Sequence, residues 1–585
     1  MYGIEKTPKT TMVWTNGRFP AAALALSLLI LLVFSQIASA QFVANAVRVS
    51  VGSGGAQSDL DSYFLAVSGD AQVVAFESFN TNWAPDQTEV NFVDIFIHDR
   101  TTNLTVKMIG DDSQPADQRS FDPMVSADGR YVSFNSYASN FVPGDTNRHP
   151  WVDDGLDVFL YDRHTGQLSR VSLNRHGGQI DGNSVGFISP DARYVIFSSN
   201  GDGIVDTNSD RLTAIYVRDL QTGVIERITK GPGGVYPDGV VVGAESSYDG
   251  RFIVYASDAT NLVPGDSNDV RDIMLYDRVT KETRLISRPV GGGQSSGLSN
   301  PARISADGRY IVFRSFASNL VPNDSNGTAD IFVYDRISES LEMVSVSSTG
   351  QQANAEGKDP AICGDGRYIV FTSEATNLVP IPHNGQRQVF LRDRLTQTTH
   401  LVTVGLGGEM GNGRAHRAVL SADCRSVGFA TEASNIVPND TNNARDLFVA
   451  ELITPANFSV SSLVGSGLME PGAAFEFVFI LRNQGRATPT AVLNNPLPAH
   501  VVLVPGSPTN GAVYNAATNT IQWNGVIPAE GQTTFSYRVT IDPALTDFTL
   551  ITNQATLAGD GGSRSLTFHL PIHGLKVYLP IAARD

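Results

Sequence analysis

Between residues 60 and 450 the chain alternates short apolar runs with tight polar turns, always in the same order. The clearest run is Tyr310-Ile311-Val312-Phe313, apolar at successive positions rather than at every second one. A strand of that kind is covered on both faces. Just before it, Ser305-Ala306-Asp307-Gly308-Arg309 carries the Asp-Gly pair of a hairpin turn. A second run, Asp330-Ile331-Phe332-Val333-Tyr334-Asp335-Arg336, follows 23 residues after Asp307, and Leu341–Val346 supplies a further strand after the Asp-Arg turn. The unit therefore predicts four antiparallel strands, with no amphipathic helical pattern between them.

The phrase S-x-D-G-R-[YF]-[IV]-x-[FY], as in Ser305–Phe313 and Ser126–Phe134, recurs in weaker copies to make seven: Ser68–Phe76, Ser189–Phe197, Ser247–Tyr255, Cys363–Phe371 and Ser421–Phe429 are the others. Its aspartates are Asp70, Asp128, Asp191, Asp249, Asp307, Asp365 and Asp423, separated by 58, 63, 58, 58, 58 and 58 residues. A near-constant period of this size fits the blade of a β-propeller with one long loop, and radial closure would shield the sheet edges. The seventh unit lacks its fourth strand, because Asp446–Leu452 runs through Pro455 into sequence of another kind. Ala46–Gly52, ahead of the first unit, reads like the missing strand. The expectation is that it pairs beside Leu447–Ala450 and completes a seventh blade.

S-x-D-G-R-Y followed by D-I-F-V-Y-D-R resembles the repeats of the TolB-like family, WD-like propellers of exported bacterial proteins. The resemblance covers about residues 46–453 and implies the fold far more than the function, since that family mixes binding scaffolds with enzyme-associated domains. After Pro455 the period stops. Short strands separated by Gly, Pro and Asn breaks, among them Phe475–Leu481, Thr534–Ile541 and Asn553–Leu557, predict a β-sandwich. Glu470-Pro471-Gly472, Asn483-Gln484-Gly485, Leu497-Pro498-Ala499 and Thr552-Asn553-Gln554-Ala555 resemble the Ig-like module repeated in bacterial surface proteins, a family of unknown function. The fold expected is all-β: a seven-bladed propeller at 41–454, its last blade closed by the N-terminal strand, then an Ig-like sandwich at 455–573 and a tail at 574–585.

Residues 1–40 read as a signal peptide. Lys6, Lys9 and Arg18 precede a fourteen-residue apolar stretch, Ala21–Phe34, and Ala38-Ser39-Ala40 offers a cleavage site. That stretch is short for a membrane span, which takes about 20 residues, and no later segment is long enough. The expected location is secreted, extracellular or cell-surface, or periplasmic in a cell with two membranes. A net charge of −17 argues against nucleic acid as a partner, which needs clustered Lys and Arg. Two cysteines, Cys363 and Cys424, lie in equivalent turns of adjacent repeats. Separate half-buried thiols are expected and a bridge is the alternative, because distances between blades usually exceed disulfide reach.

The motif Asp and Arg residues are explained by their turns without any chemistry. The loop between the second and third strands carries more information. Asp266, Asn268 and Asp272 in the fourth unit, Asp324, Asn326 and Asp330 in the fifth, and Asp440, Asn442 and Asp446 in the seventh place several oxygens within seven residues. Calcium is the one cofactor these loops suggest, although D-x-N-x-x-x-D is not EF-hand spacing, and Asx-turns account for the pattern about as well. No catalytic residue is assigned. There is no metalloprotease H-E-x-x-H, no C-x-x-C, and no nucleophile elbow leading into an α/β domain. The ten histidines are scattered, and His416 is the most site-like.

Connections between strands two and three leave a propeller on the same face as the blade-to-blade connections, and both are long here. The reading is a binding scaffold that takes a protein or glycan ligand on this face, around the channel. Two alternatives stand beside it: a glycan lyase or hydrolase with its site at the channel mouth, and a structural surface-layer protein. Convergence of His, Arg and carboxylates at the mouth would favour the enzyme; a lining of Asn, Ser and Gly would not.

Overall fold

The computed structural model describes residues 42–572, apart from 84–91, 111–112, 147–154, 206–212, 454–457, 459, 488–489 and 560–561. The signal peptide and C-terminal tail read from the sequence lie outside the described residues. Among these, the only helical turn is Pro232–Gly234, and no helix is long and apolar enough to cross a membrane. Everything else regular is β-strand.

Seven four-stranded antiparallel sheets follow one another along the chain. The first contains Ser62–Val67, Val73–Ser78, Asp94–Asp99 and Leu104–Lys107 in sequence order, and the next five repeat that order. The seventh is assembled from both ends: Ala415–Leu420, Ser426–Thr431 and Asp446–Leu452 come from the C-terminal side, and Val43–Arg48 adds the outer strand. Val47 lies opposite Val449 and Arg48 opposite Phe448, while the Val49 N–H donates to the Leu447 carbonyl at 2.8 Å. That is the place the repeat assigns to this segment.

Second strands such as Val73–Ser78, Phe252–Ser257 and Tyr368–Ser373 are buried at every position, as their unbroken apolar runs require. An aromatic pair stacks between the second and third strands of sheet after sheet. Phe76 on Phe96, Phe134 on Phe159, Phe313 on Phe332 and Phe429 on Phe448 have centroids 5.5–5.9 Å apart. Leu65, Phe76 and Phe96 of the first sheet share one apolar cluster with Val49, Ala430, Leu447 and Val449 of the seventh, so first and last pack together.

The hairpins between first and second strands form a second closed circuit, made of backbone. Gly69 N–H donates to Ala127 O, Ala127 to Pro190, Asp191 to Tyr248, Tyr248 to Ala306, Asp307 to Gly364, Gly364 to Ala422, and Asp423 back to Gly69. Each turn is held internally by its own motif. Ser305 Oγ donates to Asp307 Oδ1 at 2.5 Å, Asp307 Oδ1 accepts the Arg309 N–H at 2.9 Å, and Ser305 Oγ accepts the Tyr310 N–H at 2.9 Å. Arg309 then grips Asp335 with two N–H groups at 2.9 and 2.7 Å and lies over the Tyr310 ring. Arg251 with Asp277 and Arg367 with Asp393 do the same. The recurrent Asp and Arg are structural.

The two cysteines do not remain separate. Cys363 and Cys424 form a disulfide, with Cα atoms 5.2 Å apart. Blades are far apart at their outer strands, but at the hairpin circuit neighbouring turns touch: Gly364 donates to the Ala422 carbonyl at 3.2 Å beside the bridge. Cys363 replaces the motif serine, and Cys424 holds the turn position with φ of 59° where four other repeats have glycine and two have alanine, Ala71 and Ala192.

Residues 462–572 fold as two sheets, one of four strands and one of five, enclosing a single core. Alternation is strict here. Phe475, Phe477, Phe479 and Leu481 point inward and the residues between them outward, which is the period-two pattern of a half-exposed sheet. Within the core, Tyr537 donates to Asn495 Oδ1 at 2.5 Å, while Asn553 donates to Tyr537 Oη at 2.9 Å and accepts from Asn495 at 2.6 Å. All three are fully buried and satisfied. At the junction with the ring, Glu530 receives Arg425 at 2.9 Å and Arg486 at 3.0 Å.

Candidate functional site

All seven innermost strands line a cavity of about 350 Å³ on the axis of the ring. The hairpin circuit collars one mouth, and the other opens among the long connections. Six of the seven inner strands carry a register shift just after their first or second residue, as at Phe121/Met124 and Lys358/Ala361. A bulge re-aims the side chains next to it, and here it turns successive residues toward the axis. Asp122 and Asp359 sit on two such bulges with φ of 51° and 50°, a left-handed conformation uncommon for anything but glycine.

Five charged residues line the cavity: Asp122, Glu245, Arg303, Asp359 and Arg417. Arg303 pairs with Glu245 at 3.0 Å. Arg417 lies 4.2 Å above the ring of Phe64, and among the described residues neither it nor Asp122 forms an ion pair. Behind the wall Glu77, 5 % exposed, accepts the Asp122 N–H at 2.6 Å. Burial pushes the Glu77 carboxyl up to about 8, so it is largely neutral at pH 7. Burial also raises Asp122 and Glu245, offset in part by the arginines facing them. Asp122 is open to the water of the channel yet enclosed by its walls, so its charge is poorly solvated. His416 sits on the bulge of the seventh inner strand and contacts Glu432 at 2.7 Å, with burial lowering its basicity.

The five charged residues that line the cavity are outside the repeated phrase. They occupy two columns, six and four residues before the motif aspartate. The first reads Phe64, Asp122, Val185, Gly243, Pro301, Asp359 and Arg417; the second includes Glu245 and Arg303. Positions that vary inside an otherwise regular repeat, on one face of the inner strand, were the available signal.

The calcium loops fare differently from one another. In the seventh, Arg48 reaches Asp440 at 2.9 Å and Asp446 at 3.2 Å, so a guanidinium stands where an ion was expected; Asn442 donates to Asp446 at 3.1 Å. In the fifth, the Gln352 amide donates to both Asp324 at 2.8 Å and Asp330 at 3.0 Å, and Asn326 donates to Asp330. In the fourth, Asn268 donates to Asp272 at 2.9 Å and nothing donates to Asp266 Oδ1. Cys363, Asp365 and Cys424 also bring ligand atoms within 4.8 Å, but sulfurs joined in a disulfide are not thiolate ligands.

The letters G-x-S-x-G do occur, at Gly182–Gly186 and Gly293–Gly297. Neither is a nucleophile elbow. Ser184 is fully buried at the start of a strand with its Oγ on Ser199, and Ser295 donates to the Gly297 carbonyl at 2.6 Å in a loop.

No protein-family model and no curated protein matches the chain. Among solved structures it is similar to TolB from Acinetobacter baumannii, with 14 % identity over 58 % of this chain and 62 % of that one, less than two thirds of its length, at a TM-score of 0.31. It is also similar to a putative TolB from Agrobacterium tumefaciens (16 %, 61 % and 97 %, TM-score 0.33) and to an acylaminoacyl peptidase from Pyrococcus horikoshii (12 %, 63 % and 50 %, TM-score 0.37). Likeness this distant transfers no function, and the ring stands on its own hydrogen bonds.

Proposed function

We propose that the mature chain is an exported, seven-bladed β-propeller binding scaffold, located at the cell surface, outside the cell or in a periplasm, with the C-terminal Ig-like sandwich as spacer or attachment. The ligand site is the open mouth of the channel, and the preferred ligand is a segment of a protein partner. One observation carries this: Arg417 is enclosed, free of any ion pair and opposed by Asp122 and Asp359 across a small cavity. An unpaired guanidinium in a desolvated cleft suits a carboxylate, and the facing carboxylates suit N–H or ammonium donors. A peptide segment or chain end brings both. A glycan fits less well, because the Phe64 face available for sugar stacking is already taken by Arg417.

The test is a peptide and glycan array probed with the mature chain and with Arg417→Gln. Peptides bearing acidic groups should bind the parent and lose at least tenfold in the variant. Binding unaffected by the substitution would overturn the site. A glycan-acting enzyme is the second reading, supported by Asp122, Asp359 and Arg417 lining one cavity. Release of products from acidic or neutral oligosaccharides, lost in Asp122→Asn, would favour it over the scaffold.

A further inference from the structure

The seven repeats act as controls for one another at the residue that lies opposite the third position of the third strand. In order these are Lys107, Arg170, Arg227, Leu285, Met343, Leu401 and Arg48. Where the residue is basic and the strand begins with aspartate, the two meet. Lys107 holds Asp94 at 2.8 Å, Arg170 holds Asp145 and Asp157 at 3.1 and 3.4 Å, and Arg48 holds Asp440 and Asp446. The sixth repeat has Leu401 and no acid, since Gln388 stands in place of the aspartate. The fifth has Met343, and Gln352 bridges its two aspartates instead.

The fourth repeat breaks the rule. Asp266 and Asp272 are both present and buried, but Leu285 replaces the cation. Gln294, the counterpart of Gln352, turns its amide N–H toward the Gly265 carbonyl instead. Two buried oxygens, Asp266 Oδ1 and Gln294 Oε1, are left without a partner, and Asp266 is only 9 % exposed. Arg288 exerts a field on both aspartates, yet among the described residues no basic group lies within ion-pair distance of either. Leaving a buried carboxylate oxygen unpaired costs far more than an ordinary hydrogen bond returns.

We infer that the fourth repeat binds a calcium ion between Asp266, Asp272 and Gln294, in the position that Arg170 and Arg48 fill in their own repeats. Carboxylate and amide oxygens are the hard ligands calcium prefers, and water completes its shell. The ion would tie the loop of the fourth sheet to the connection leading into the fifth. The site is separate from the channel and does not depend on what binds there. Asp272 keeps Ser287 and Asn268 as donors, so the open oxygens facing the ion are Asp266 Oδ1 and Gln294 Oε1.

The experiment uses the mature chain dialysed against chelator. Calcium titrated by calorimetry should bind at one site per chain and raise the melting temperature. Asp266→Asn should weaken binding at least tenfold. Leu285→Arg, which supplies the guanidinium used by other repeats, should fold, abolish the calcium response and melt above the ion-free parent. Absence of calcium binding to the parent, or equal binding by the parent and Leu285→Arg, would overturn the inference.

Discussion

Arg48→Met removes the one charge that the N-terminal strand contributes to the seventh sheet. The Arg48 side chain is 8 % exposed, and Asp440 and Asp446, which it bridges, are 4 % and 1 % exposed. Its contacts are close but lie off the N–H directions, so they act as ion pairs more than as hydrogen bonds. Deleting one partner of a buried pair costs about 3–5 kcal/mol, because the remaining charge is stranded. Methionine preserves most of the packing, and the fifth repeat already carries Met343 at this place. With an unfolding entropy of roughly 2 cal/mol/K per residue, a ring of this size should lose roughly 3–6 °C in melting temperature at pH 7. The deficit should shrink toward pH 5. Burial already raises the Asp446 carboxyl and Arg48 offsets that rise, so without Arg48 it rises further, and stability from a raised acid is lost as pH climbs, not as it falls. Adding Asp440→Asn should recover part of the loss. Calorimetric melting at both pH values is the assay, and a variant within 1 °C of the parent at pH 7 would refute the bridging role.

Glu77→Gln should leave stability near pH 4 unchanged and raise it increasingly up to pH 8. The folded carboxyl keeps its proton until about pH 8, whereas the unfolded one loses it near 4.5. Across that window the parent therefore loses up to about 1.4 kcal/mol per pH unit. Parallel denaturant-derived profiles for parent and variant would contradict this. Replacing both cysteines by serine restores the motif residue at position 363 and opens a cross-link spanning 61 residues. Chain entropy sets an upper figure of about 4 kcal/mol for that loss, and an unchanged denaturation midpoint would show that the bridge does not constrain the unfolded chain.

Much of the ring was legible because its repeat is enforced by local chemistry. Asp holds the turn in all seven units, and its spacing reports the sheet order even where Ala71, Gln72, Ala192, Cys363 or Cys424 replaces the Ser, Gly or Arg beside it. The strand at Val43–Arg48 could be assigned because the seventh unit lacked one and this segment resembled it. The channel was not legible in the same way. Asp122, Asp359 and Arg417 face the axis because of bulges in the inner strands, and a one-residue shift changes which side chain points inward. The cysteine pairing was misread for a geometric reason: separation between sheets depends on radius, and residues 363 and 424 lie where it is least. In the calcium loops, sequence alone showed the acids but not what stood opposite them. Arg48 lies almost 400 residues from Asp440, and only the closed ring brings the two together.

The most direct test of that closure is a cross-link between the two ends. Ala44 and Glu451 are register partners across the junction and both are water-accessible. In Ala44→Cys/Glu451→Cys, mass spectrometry of the folded, air-oxidised protein should find a second disulfide joining the new pair, beside the native Cys363–Cys424 bridge, which serves as the internal standard. A protein in which the native bridge forms while both new thiols stay free would mean that the N-terminal strand does not close the ring.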